Sequence, residues 1–249
     1  MFGLGKKPAL DPQIPPGLRV YAIGDVHGRF DLLRDLLRRI QRDNATRGDA
    51  ETHVVMLGDL IDRGPESAEI IDFFLAGPPS FAHFHFVMGN HEEMLLKQIY
   101  DPSEESMAHF LRFGGRETFE SYGVPQRVLD MPDRYSFAGL TDAIPARHRA
   151  FLSAMEDMVR FGDYLFVHAG IRPDVPIDEQ RASDLRWIRA QFLYSDVDHG
   201  VMVVHGHTIT DEPELRPNRI GIDTGAFQSG RLTVLGLEAG EKWLIATGD

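Results

Sequence analysis

Cysteine is absent from the chain. Disulfides and thiolate-bound metals are therefore excluded, and the composition fits a reducing compartment. No run of about 18 apolar residues occurs, which argues against a membrane-spanning helix. Basic residues are outnumbered: 26 Lys and Arg stand against 38 Asp and Glu, for a formal net charge of −12. A broad face for a nucleic-acid backbone is not expected from that balance, although a local pocket can still attract anions. The opening stretch "MFGLGKKPALDPQIPPG" has two lysines but no apolar segment of signal-peptide length. It reads as a flexible leader over residues 1–17. Together these absences point to a cytoplasmic protein with no membrane and no stable nucleic-acid partner. What is present is a 249-residue chain, 43% hydrophobic, enough for a substantial core in one domain over residues 18–249.

Periodicity gives an alternating β/α pattern in the first half. "LRVYAIG" (Leu18–Gly24) reads as a buried strand. From Phe30 to Asp43, Leu33, Leu36, Leu37 and Ile40 recur at helical spacing, with charged residues on the wet side. "THVVMLG" (Thr52–Gly58) is the next strand, "ESAEIIDFFLAG" (Glu66–Gly77) the next helix, "FHFVMG" (Phe84–Gly89) the third strand, and "HEEMLLKQIY" helical again. Residues 101–160 read as a helical or loop-rich insert. Strands resume with "YLFVHAG" (Tyr164–Gly170) and "VMVVHGHT" (Val201–Thr208), and "RIGIDTGA", "RLTVLGLE" and "KWLIATG" read as hairpins or a meander.

Polar residues collect just after the apolar runs, in "GDVHG", "GDLIDRG", "GNHE", "HAG" and "HGHT". Asp25, Asp59 and Asn90 are 34 and 31 residues apart, each about one βαβ unit. That spacing puts them along one edge, outside the carboxyl ends of the strands, where open α/β sheets bind ligands. Converging carboxylates resist ionising unless a cation lies between them. Mixed imidazole, carboxylate and amide ligands suit Mn²⁺, Fe²⁺ or Zn²⁺. Asp25, His27, Asp59, Asn90, His168 and His207 are too many for one closed tetrahedral site. They suit two ions sharing a carboxylate, an arrangement that hydrolyses phosphate esters. Arg63 adds a planar fork for phosphate oxygens.

These five motifs, in this order, resemble the phosphoprotein phosphatase group of the calcineurin-like metallophosphoesterases, and most closely the bacterial and phage-type serine/threonine protein phosphatases. The resemblance spans Val20 to Leu237. It implies a four-layer α/β/β/α sandwich of two mixed sheets, with the 101–160 insert near the cleft. It implies that Asp25 and His27 hold a first metal, Asp59 bridges, and Asn90, His168 and His207 complete a second, with Mn²⁺ the first choice. A hydroxide bridging the two ions would attack phosphoserine or phosphothreonine in a phosphoprotein or phosphopeptide. His91 would protonate the leaving oxygen with Asp62 behind it, Arg63 would clamp the phosphate, and Arg189 after Trp187 would be a second clamp, with Arg186 its rival.

The rival activity is that of a bis(5′-nucleosyl)-tetraphosphatase or related nucleotide or RNA 5′-end hydrolase, which shares the metal motifs. Members of that branch usually carry Ala, Asp and Trp where this chain has Asp62, Glu92 and Thr208. A non-catalytic scaffold of the same fold would have lost ligands or the proton donor, and here all are present. The chain departs from many relatives in having Met88 where an Arg precedes "GNHE", and it lacks a long C-terminal region for regulatory subunits. Glu92 is read as supporting the site or the first helical turn, and Gly89 as letting the backbone turn sharply. His205 and Asp223 are read as structural, and His83 and His85 as lining a solvated strand face.

Overall fold

In the computed structural model, which describes residues 11–130 and 136–248, ten strands form two five-stranded sheets. The first half alternates as the periodicity requires: β1 (Leu18–Ile23), α1 (Phe30–Thr46), β2 (Glu51–Met56), α2 (Ser67–Leu75), β3 (His83–Phe86) and α3 (Asn90–Tyr100). The second half supplies β4 (Met158–Phe161), β5 (Tyr164–Val167), β6 (Met202–His205), β7 (Glu214–Leu215), β8 (Arg219–Gly221), β9 (Thr233–Glu238) and β10 (Glu241–Ala246). Sheet one runs β10-β9-β1-β2-β3 and sheet two β4-β5-β6-β8-β7. Both are mixed: β1, β2 and β3 are parallel, while β9 is antiparallel to β1 and β10.

Alternation along each strand explains the layering, because successive side chains point to opposite faces. On β1 and β2, Val20, Ala22 and Val55 turn inward to meet Tyr164, Phe166, Val204 and Ile220 of sheet two. Tyr21, Ile23, Val54 and Met56 turn outward under Leu33, Leu36, Leu37 and Ile40 of α1 and Ile70, Ile71 and Phe74 of α2. Burial of each such Leu or Ile contributes about 1.5–3 kcal/mol. On the far side, Leu165, Val167 and Val203 are covered by Leu185, Ile188 and Phe192. The result is a four-layer α/β/β/α sandwich.

Three local expectations need correcting. The leader is packed from Pro12 onward: Pro12 and Ile14 are buried, the Ile14 N–H donates to the Ala239 carbonyl, and the Gln13 N–H donates to Asp163. Residues 1–10 lie outside the described residues. Of the last three strands, β9 and β10 form the expected hairpin in sheet one, but β8 does not join them and pairs with β6 in sheet two. The range 101–160 holds helices from Glu104–Phe110 to Ala146–Ser153, but its last residues belong to β4, which pairs with β5.

Candidate metal centre

The expected residues converge where the strands of both sheets end. Gly58 and Gly89 make the approach possible. A Cβ on Gly58 would lie 2.6 Å from the Gly89 nitrogen, and one on Gly89 would lie 2.1 Å from Asp59 Oδ1. Gly89 is extended (φ −89°), so it is needed for space and not for a turn. His27, Asp59, Asp62, Arg63 and His207 all adopt left-handed backbone conformations (φ +48° to +72°). Each costs of order 1 kcal/mol for a non-glycine residue, and such strain persists only where the surroundings enforce it.

Asp59 stands at the centre. Its Oδ2 lies 3.5 Å from His27 Nε2, 3.8 Å from His91 Nε2 and 3.5 Å from His168 Nε2. Two groups of ligand atoms close enough to hold an ion share this carboxylate: His27, Asp59 and His91, and Asp59, His168 and His207. His91, expected as the proton donor, thus falls in the first group. Asp25, expected beside His27, takes the edge of the cluster: its carboxylate accepts the His207 N–H and meets the Asp223 carboxyl. Burial, then Asp223 and Asp59, push the Asp25 pKa well up. Asp223 is driven up to about 6, chiefly by burial and by Asp59 against the pull of the Gly225 N–H. It is nearer the cluster than a turn residue need be.

The hydrogen bonds around Asp59 leave room for cations. His168 commits Nδ1 to the Leu57 carbonyl (2.8 Å), so its Nε2 presents a lone pair. Facing that lone pair are Asn90 Oδ1 at 2.9 Å, His207 Nδ1 at 3.1 Å and Asp59 Oδ2 at 3.5 Å. Acceptors converge there with at most one imidazole hydrogen to share, and His207 Nε2 is buried without a partner. A divalent cation satisfies the set, and the backbone-anchored imidazole is how metal-ligating histidines are oriented. In the first group His27 likewise places Nδ1 on the Ile61 carbonyl (2.9 Å). There the positive charge is supplied by Arg63, whose guanidinium spans His27 Nε2 (2.9 Å) and His91 Nε2 (3.0 Å) and rests on the Phe227 ring.

The model of the calcineurin-like phosphoesterases matches residues 18–220. The chain belongs to that family. Among curated relatives of this phosphoesterase, the asymmetrical bis(5′-nucleosyl)-tetraphosphatase PrpE of Bacillus subtilis is 26% identical over 85% of this chain and 87% of its own length. Serine/threonine-protein phosphatase 2 of Escherichia coli is 26% identical over 86% of this chain and 90% of its own. A symmetrical bis(5′-nucleosyl)-tetraphosphatase of Aromatoleum aromaticum is 28% identical over 66% of this chain, and there the chain spans about half (49%) of the relative's length. The solved structure of a candidate diadenosine tetraphosphatase superposes with a TM-score of 0.61 at 21% identity, covering 92% of this chain and 93% of that one. A cold-active protein-tyrosine phosphatase of Shewanella gives 0.60 at 20% identity, over 93% and 83%. At those identities the structures establish a shared fold.

Support for the phosphoesterase site comes from motif residues and from Thr118, which no motif reveals. His91 Nδ1 pairs with Asp62 Oδ2 at 2.6 Å. Asp62 is held in turn by Thr118, whose hydroxyl donates to Oδ1 (2.5 Å) and accepts the Asp62 N–H (2.9 Å). Burial opposes protonation of His91, but Asp59 and Asp62 outweigh it and the imidazole pKa is raised. Glu92 is fully buried and accepts the N–H groups of Gly89, Asp59 and Leu60, so it ties α3 to the Asp59 turn. Burial and the Asp59 charge push it up to about 7. Met88 packs into the helix-side core. His205 ends β6 against Phe192, outside both candidate groups, because the chain turns before His207. Arg186 is engaged by Asp157 and Glu93, whereas the Arg189 guanidinium donates to the His207 carbonyl and to the Thr208 hydroxyl.

Proposed function

We propose that the protein is a metal-dependent hydrolase of dinucleoside polyphosphates. The observation that carries this reading is that both symmetrical and asymmetrical tetraphosphatases are among the relatives, the asymmetrical one of Bacillus subtilis over 85% of this chain and 87% of its own length. A cavity of about 850 Å³ along α3, linked to the centre through Trp187, supports it. Glu93, Met94, Lys97, Tyr100, His109 and Trp187 are among its lining residues, and the Trp187 ring lies 6.5 Å from that of His207. A volume in that range accommodates a ligand of nucleotide size.

Asp25, His27, Asp59, Asn90, His168 and His207 would hold two divalent ions, with Mn²⁺ the first choice. When bound, such ions polarise the phosphate and lower the pKa of water. The chain's own groups do the rest. Arg63 orients the phosphate, with Arg189 at the rim as a second clamp. His91, held by Asp62 through Nδ1, directs Nε2 to the leaving oxygen and supplies its proton.

A second reading, hydrolysis of phosphoserine or phosphothreonine in proteins, is favoured by the similarity to the Escherichia coli phosphatase over 86% of this chain and by Asp62, Glu92 and Thr208. Protein stripped of metal and restored with Mn²⁺ is to be assayed on diadenosine tetraphosphate and on a phosphoserine peptide side by side. The nucleotide is expected to show the higher kcat/KM. A higher value for the peptide replaces the first reading with the second and leaves the metal chemistry standing.

A further inference from the structure

We infer that His53 and His85, with His83 beside them, form a separate binding site for one first-row divalent cation such as Zn²⁺, Ni²⁺ or Cu²⁺. The register pairs His53 on β2 with His83 on β3, and His85 follows two residues on, so all three imidazoles share the face turned toward sheet two. They sit where β3 and β4 are the last strands of their sheets, which is why they are not simply solvated. Phe161 of β4 packs on His53 (4.7 Å between centroids) and His85 (5.4 Å).

His53 Nδ1 and His85 Nε2 are 3.1 Å apart, the separation expected of two adjacent ligands on an ion bound at about 2.0–2.1 Å. The outer nitrogens both face carboxylates: His53 Nε2 lies 3.4 Å from Glu51 Oε1, and His85 Nδ1 lies 4.0 Å from Glu156 Oε1. Without metal, one imidazole hydrogen bridges the inner 3.1 Å gap, the shortest contact along this row. An ion taking that gap would shift the tautomers so that both outer nitrogens carry their hydrogens toward the carboxylates. Imidazole backed by carboxylate is the arrangement that orients metal-ligating histidines. Burial and the neighbouring histidines lower the pKa of His53, and burial lowers that of His85, which favours the neutral, ligating forms. Glu156 is fixed by its backbone, which bonds to Phe86 and Met88. His83 is exposed, with Nε2 3.8 Å from Glu51 Oε1, and becomes a third ligand by side-chain rotation. The site lies at the opposite end of β2 from Asp59, about 20 Å away at strand rise.

The test uses untagged, full-length protein dialysed against micromolar Zn²⁺, with metal counted by mass spectrometry. Wild type should retain one more ion per chain than His85→Gln, and phosphoesterase turnover should be the same in both. Equal counts, or an extra ion seen only at millimolar Zn²⁺ in both proteins, would overturn the inference. Glu156→Gln touches an exposed side chain and leaves both imidazoles in place, so it serves if His85→Gln does not fold. It should weaken the extra ion about tenfold, and unchanged affinity would also overturn the inference.

Discussion

Thr118→Val is the sharpest probe of the way the helical segment supports the centre. The threonine is fully buried, and valine nearly matches its shape, so no cavity opens. What is lost is the hydroxyl that donates to Asp62 Oδ1 and accepts the Asp62 N–H. The N–H keeps Ser67 Oγ at 3.1 Å, but the carboxylate loses a hydrogen bond worth about 1.5–3 kcal/mol. A stability loss of about 2 kcal/mol is expected in denaturant titration. If about 1.4 kcal/mol of it falls on the alignment of His91, kcat drops about tenfold. The sign of the pH effect follows from the bond. Burial raises the Asp62 pKa, while His91 and Thr118 pull it down. Removing Thr118 therefore raises it further, and the acid limb of the kcat profile should move to higher pH. Thr118→Ser, which keeps the hydroxyl, should recover most of the rate. A valine variant within about twofold of wild type in kcat, with an unmoved acid limb, would refute the positioning role.

Three further outcomes are expected. His91→Asn should cost turnover by about 10²–10⁴ on a phosphoserine peptide and much less on an activated aryl phosphate; an equal loss on both argues against proton donation. Gly89→Ala drives a Cβ into Asp59 Oδ1, so it should lower stability by about 1–3 kcal/mol and weaken metal retention, checked by thermal melts and metal analysis. Arg189→Ala should raise KM with little change in melting temperature. Arg186→Ala, which breaks the pairs with Asp157 and Glu93, should do the reverse, and an exchange of these effects would reassign the clamp.

Much of this was legible because the polar motifs interrupt strong periodic signals. Leu33, Leu36, Leu37 and Ile40 declare α1, which runs three residues past the Asp43 read from sequence, and "LRVYAI" declares β1 within a residue of where it lies. Asp25, Asp59 and Asn90 could be placed on one edge from βαβ spacing alone, whereas His168 and His207 follow strands of sheet two, which that spacing does not reach. Short elements carried no comparable signal: β7 has two residues and β8 three, and nothing local says that β8 pairs in sheet two. Thr118 lies 56 residues from its partner Asp62, a contact that only the packing of the helical segment creates. The same holds for His53, which meets His85 through strand pairing and not through any motif. Gly89 is needed for space and not for a sharp turn, a distinction that sequence does not carry, since it reveals a glycine without revealing whether torsion or space demands it.

The central claim is that the shared Asp59 carboxylate holds the ions that make this fold a phosphoesterase. The most direct test compares metal content and turnover of wild type and Asp59→Asn after identical Mn²⁺ loading. The account predicts loss of bound Mn²⁺ and of metal-dependent hydrolysis, with the folded state retained. An Asp59→Asn protein that keeps wild-type metal content and metal-dependent turnover would contradict it.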